Sequence, residues 1–133
     1  MSAQTIFPTL RYSDAPAAIE WLGRAFGFER RLVIDNPDGT IAHAEIALGD
    51  GVVMLGSARR SVGEDDASVA PPPGTSSVYV AVADADAHHG RARSAGAEIV
   101  LDLHDTDYGS REYTARDPEG NVWAFGTYRP GDE

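Results

Sequence analysis

Apolar residues recur along this chain in two rhythms. In residues 15–26, APAAIEWLGRAF, Ile19, Leu22 and Phe26 share one face at helical spacing, with Ala15 and Ala18 beside them. Asp14 stands where an N-cap belongs, and Gly27 follows as a stop. Elsewhere the period is two. Ala44, Ile46 and Leu48 alternate with His43, Glu45 and Ala47, and Val78, Val80 and Val82 alternate with Ser77, Tyr79 and Ala81. The pattern predicts strands near 5–12, 28–35, 41–48 and 51–57 with a helix near 15–26. It then predicts strands near 76–83, 98–104, 111–116 and 121–128 with a helix near 85–95. The second helix carries a thin stripe of Ala85, His88, Ala92 and Ala95.

The punctuation repeats. Asp14 and Asp84 lie 70 residues apart; Gly27 and Gly96 lie 69 apart, as do Gly51 and Gly120. Two βαβββ modules in one domain follow, the first over 1–57 and the second over 76–133. Residues 58–75, with three consecutive prolines and an acidic cluster, read as a mobile linker. Apolar rows are expected under the helices and mixed rows on a shared concave surface. Trp123 and Phe125 would fill the core under the second helix, while Val122, Ala124 and Gly126 line the cup.

Composition narrows the chemistry. The 133 residues contain no cysteine and no lysine, so thiol, disulfide and Schiff-base chemistry are excluded. A net charge of −10 disfavours nucleic acid and anionic membranes. No apolar run approaches the roughly 20 residues of a membrane span. The opening MSAQTIFPTL has neither the basic nor the apolar region of a secretion signal, so a cytoplasmic location is expected.

Polar residues on the mixed rows are the candidates for chemistry. His43 and Glu45 lie two apart on one strand and face one way. They supply two metal donors where a site needs three or four. Arg11 and Arg111 are expected on interior strands, where a guanidinium either pairs with Glu45 or Glu112 or grips a ligand carboxylate or phosphate. Tyr79, Tyr108 and Tyr113 are candidates for stacking on a planar ligand. His88 and His89 are expected at the surface or rim, and His104 in solvent. Ser110, in YGSRE, lacks a nucleophile-elbow setting.

Three segments, LRYSDAPAAIEWLGRAFGFE at 10–29, HAEIALGDGVVML at 43–55 and YGSREYTARDPEGNVWAFGTY at 108–128, make the chain resemble the vicinal-oxygen-chelate superfamily in its glyoxalase/bleomycin-resistance branch. The resemblance implies an α+β fold, two βαβββ modules forming an incomplete, cup-shaped β-barrel, and a homodimer. Metal-dependent relatives place His or Glu at four cup positions. By resemblance these fall at Phe7, at Met54 (or Leu55, one phase on), at Ser77 and at Ala124. None suits a divalent ion, so neither metal nor cofactor is expected.

The resulting expectation is a metal-free protein that binds a small molecule in the cup and sequesters a toxic planar or amphipathic compound, as drug-sequestering relatives do. Phe7, Arg11, His43, Glu45 and Met54 would contribute from the first module. Ser77, Tyr79, Tyr108, Arg111, Val122 and Ala124 would contribute from the second. The alternatives are a metal-dependent lyase, isomerase or dioxygenase of the glyoxalase type, and a scaffold without a ligand.

Overall fold

The computed structural model describes residues 4–58 and 72–131. The expected linker lies mostly in 59–71, outside the described residues. The first half runs β1 (Thr9–Tyr12), α1 (Ala15–Phe26), β2 (Glu29–Asp35), β3 (Ile41–Leu48) and β4 (Gly51–Ser57). The second repeats it as β5 (Ser77–Ala81), α2 (Ala85–Ser94), β6 (Glu98–Asp105), β7 (Arg111–Arg116) and β8 (Val122–Gly126). Each half folds into one four-stranded sheet, ordered β1-β4-β3-β2 and β5-β8-β7-β6. The edge strands β1 and β5 run parallel to β4 and β8, and the remaining pairs are antiparallel. Among the described residues the strands form two open sheets and no closed barrel.

The caps form as the residue types dictate. Asp14 accepts from the Ala17 amide at 3.2 Å and Asp84 from the Ala87 amide at 3.0 Å. Gly27 ends α1 at φ 88°, a left-handed conformation that costs glycine little. The first strand is shorter than expected and begins at Thr9. Pro8 has no N–H to continue the ladder. Upstream, the Gln4 side-chain amide takes over the pairing, donating to Val52 O at 2.9 Å and accepting from Val52 N at 2.7 Å. Phe7 therefore precedes the sheet and does not sit within it.

One core serves both halves. Leu10, Tyr12, Ala44, Ile46, Val53 and Leu55 point into it from the first sheet, and Tyr113, Ala115, Trp123 and Phe125 from the second. Trp123 and Phe125 do not merely lie under α2. Their rings pack against Phe26 at 5.6 and 4.7 Å between centroids, and Trp123 lies 5.5 Å from Phe28. The reason is area: the thin alanine stripe of α2 cannot cover rings of that size, so the end of α1 does so.

Polar contacts fasten the same seam. The Glu119 carboxylate accepts from the Ser13 and Asp14 amides at 2.7 and 2.8 Å, at the positive end of α1. At the other end of that helix, Arg91 donates to the Arg24 and Gly23 carbonyls at 3.1 and 3.0 Å. His88 and His89 are not rim residues. His88 Nε2 donates to Phe26 O at 2.9 Å, and its Nδ1 accepts from the Tyr113 hydroxyl at 2.6 Å. His89 is buried, with Nε2 2.8 Å from Asp102 but out of line for a hydrogen bond. Burial lowers the His88 pKa from its ordinary 6.5, and nearby Arg91 adds to the shift.

Because both helix-facing rows point into one core, the mixed row of each sheet faces away from it. Within one chain the two open faces do not close on each other, and no hydrogen bond joins their named residues among the described residues. In place of the one shared concave surface that was expected, each of the two separate sheets presents its own open face.

Candidate functional site

Register lays out the open face of the first sheet as a grid. Thr9 pairs with Met54, Met54 with Glu45, and Glu45 with Leu32. In the next row Arg11 pairs with Gly56 and His43 with Ile34; the β3–β4 register, extended by one residue, sets His43 beside Gly56. His43 Nε2 donates to Glu45 Oε2 at 2.9 Å, so these two residues satisfy each other. Neither pairs with Arg11. The Arg11 guanidinium lies over Gly56, where an added Cβ would come 2.7 Å from Nη1. Its Nε is buried and has no hydrogen-bond partner among the described residues. An unsatisfied buried donor is costly, and a ligand acceptor would remove that cost.

The open face of the second sheet follows the same plan. Ser77 pairs with Val122, and Tyr79 with Ala124; Ala124 pairs with Thr114, and Thr114 with Leu101. Ala81 and Glu112 flank Gly126, which stands 70 residues after Gly56. Tyr79 donates its hydroxyl to the Tyr128 carbonyl, and Tyr108 donates to Glu112 at 3.0 Å. Both phenols are held above the usual tyrosine pKa, Tyr79 mainly by burial and Tyr108 by its bond to Glu112.

The structure thus places Arg11, His43, Glu45 and Met54 on one face, with Phe7 ahead of it. Ser77, Tyr79, Tyr108, Val122 and Ala124 belong to the other. Two expectations are corrected. Arg111 lies on the core-facing row with Tyr113 and Ala115, because odd positions of β7 point toward α2. Its guanidinium meets Asp86 at 3.0 Å and Asp105 at 3.2 Å, not Glu112, and these bonds raise its pKa further. Tyr113 is fully buried and cannot stack on a ligand.

Sequence reasoning missed several residues on these faces: Leu32, Ile34, Leu101, Glu112 as a carboxylate bonded to Tyr108 and not to an arginine, and Tyr128. For the strand residues, a period of two in phase with His43 and Tyr79 was the signal. Tyr128 follows β8, and register gave no hint of it. A groove of about 830 Å³ also runs along the β5 edge, between the β3–β4 hairpin and α2. It is walled by Val53, Val78, Val80, His88 and Arg91, and Tyr79 is the one candidate residue it reaches.

Comparison with known proteins fits this layout. The model of the Glyoxalase/Bleomycin resistance protein/Dioxygenase superfamily matches residues 5–125. The chain belongs to that superfamily. An uncharacterised protein of Mycobacterium bovis is 31% identical over 121 residues, covering 90% of this chain and 80% of that protein. The crystal structure of TioX from Micromonospora sp. ML1 superposes with a TM-score of 0.79 at 35% identity, covering 96% of this chain and 100% of TioX. Lactoylglutathione lyase from Agrobacterium tumefaciens superposes at 0.69 and 20% identity, covering 95% and 94%, which shows the shared fold.

Metal-dependent superfamily members need donors at four cup positions. By the resemblance those positions would fall at a phenyl (Phe7), a thioether (Met54), one hydroxyl (Ser77) and a methyl (Ala124). Among the described residues no three His, Asp or Glu side chains come together. The donor set does not fit a divalent transition metal.

Proposed function

We propose that this chain is a small-molecule-binding protein that works without a metal ion, its cup formed between the open faces of two copies. The observation that carries the reading is that no three His, Asp or Glu side chains come together among the described residues, and the set Phe7, Met54, Ser77 and Ala124, which the resemblance aligns with the metal positions of the superfamily, is poor in donors. The surroundings support it. Leu32, Ile34 and Leu101 are apolar and exposed on the open faces. A few polar groups stand among them, as in a ligand pocket. Arg11, with no acceptor for its Nε, is the candidate for an anionic or carbonyl group of the ligand. A planar or amphipathic compound would be held and released unchanged, which is sequestration and not turnover.

The homodimer belongs to this reading because one chain leaves both open faces in solvent. Light scattering should give about 28 kDa, twice the chain mass of 14.2 kDa. A 14 kDa species defeats the two-chain cup. A planar fluorophore should bind equally well before and after EDTA treatment, and elemental analysis should find well under one metal ion per chain. Ala124→Trp should fill the cup and abolish binding while the melting temperature holds. The His43–Glu45 pair favours the enzymatic alternative: if EDTA strips a stoichiometric ion together with a turnover, those residues act as ligands and the binding reading fails.

A further inference from the structure

Around Gly126 the second sheet gathers three tyrosines and one carboxylate, and no function given so far uses them together. Tyr79, Tyr108 and Tyr128 are 37%, 62% and 43% exposed, a large aromatic area for one corner of an open face. The Tyr108 and Tyr128 rings meet edge to face, 5.5 Å between centroids. The Tyr79 hydroxyl bonds the Tyr128 carbonyl, and the Tyr128 amide donates to Ser110 Oγ at 3.0 Å, which fixes that corner. Gly126 makes the cluster possible. A Cβ there would lie 2.6 Å from Glu112 Cγ and 2.7 Å from the Tyr79 hydroxyl oxygen.

Glu112 is the unusual member. It is half-buried on the open face and accepts one hydrogen bond, from Tyr108. Among the described residues it has no ion-pair partner. Arg111 points the other way, to Asp86 and Asp105, and Arg116 is taken by Glu98 at 3.1 Å. His104 pairs with Glu112 in register, yet its Nδ1 donates to Asp102 O at 2.9 Å. A carboxylate ringed by neutral phenols attracts a cation by charge and by the ring faces. The net charge of −10 adds to that field.

We propose that Glu112 with Tyr79, Tyr108 and Tyr128 forms a subsite for an organic cation, a substituted or quaternary ammonium group of the ligand. This rests on the reading of the open faces as ligand-binding surfaces. It gives the cup polarity. The equivalent glycine of the first sheet, Gly56, is roofed by the Arg11 cation, whereas Gly126 is roofed by an acid and aromatic rings.

The test compares two isosteric probes, 3-hydroxyphenyltrimethylammonium and 3-tert-butylphenol, by amide-resolved NMR titration of the full chain. The cation should bind roughly tenfold tighter than the neutral probe, with shifts centred on Gly126, Thr114 and Tyr79. The preference should shrink as salt is raised. Glu112→Gln should bring the ratio of affinities to about one, and Tyr108→Leu should reduce it severalfold. Gly126→Ala, which displaces both Glu112 and Tyr79, is a second variant should Glu112→Gln fold poorly. Equal affinities in the wild type, binding of neither probe, or a preference that survives Glu112→Gln overturns the subsite. If the neutral probe binds as well as the cation on the open faces of a dimer, the cup stands and the subsite falls. A monomer that keeps a Glu112-dependent preference for the cation has the reverse meaning.

Discussion

Asp117→Asn removes one charge from the most heavily bonded side chain at the seam between the halves. Asp117 is 4% exposed. Its Oδ2 accepts from the Tyr12 hydroxyl at 2.7 Å, Trp123 Nε1 at 3.0 Å and Asn121 Nδ2 at 3.2 Å. Its Oδ1 accepts from the Glu119 and Asn121 amides, both at 3.0 Å. All five partners are donors. Burial and the adjacent carboxylate push the Tyr12 pKa up, which keeps its hydroxyl protonated. An asparagine must turn its NH₂ toward one of the two donor groups. The cheaper choice is the Oδ1 side, which forfeits two bonds and sets donor against donor. Hydrogen bonds to a charged group contribute about 1.5–3 kcal/mol each, and they do not add fully. A loss of about 3–4 kcal/mol follows, large against a typical domain stability of about 5–15 kcal/mol. Tyr12→Phe removes one donor and leaves four bonds, so about 1.5–2 kcal/mol is expected. Urea unfolding measures both, and a cycle pairing Tyr12→Phe with Asp117→Ala, which removes the accepting oxygen, measures their coupling. Because Tyr12 lies in the first half and Asp117 in the second, a coupling above about 1 kcal/mol reports the bond across the seam. Asp117→Asn within about 1 kcal/mol of wild type at unchanged m-value would show that the network does not hold the halves together.

Two further outcomes follow from the same seam. The folded state holds His88 below its ordinary pKa of 6.5 by burial, so the unfolded chain binds that proton more readily; stability from this residue is complete above 6.5 and is lost as pH falls through the lower folded value. Phe26 O, Arg91 and Tyr113 face the ring, and His88→Gln should flatten the fall in urea midpoint between about pH 7.5 and about pH 5; an identical slope in the variant contradicts the assignment. Gly74 has φ +81°, and a Cβ there would be driven into the Glu119 carbonyl oxygen; Gly74→Ala should therefore cost more than about 2 kcal/mol in urea unfolding, whereas Gly39→Ala, at φ +88° with open space around it, should cost only about 1 kcal/mol. Equal losses at the two positions would show that the contact with Glu119 is not limiting.

The order of elements was legible because it is written in local chemistry. Asp14 and Asp84 start helices by capping, Gly27 stops one with a positive φ, and alternation on β3, β5 and β8 assigns each side chain to a face. The two βαβββ halves and the open-face positions of Met54, Tyr79 and Ala124 needed nothing more than those periods. Arg111 also obeys its period, since it shares a row with Tyr113 and Ala115; it was misplaced because charge was given more weight than phase. The packing of the two halves was not legible. α2 is too poor in large apolar side chains to bury Trp123 and Phe125, and local sequence does not say what else will cover them. Three-dimensional packing decided that the end of α1 would. That choice turned His88 and His89 inward, committed Asp117 and Glu119 to the first half, and left the mixed row of each sheet facing away from a single core. A cup residue can be read from a strand's alternation. Which chain faces it depends on how two distant apolar surfaces find each other, and that is a tertiary fact.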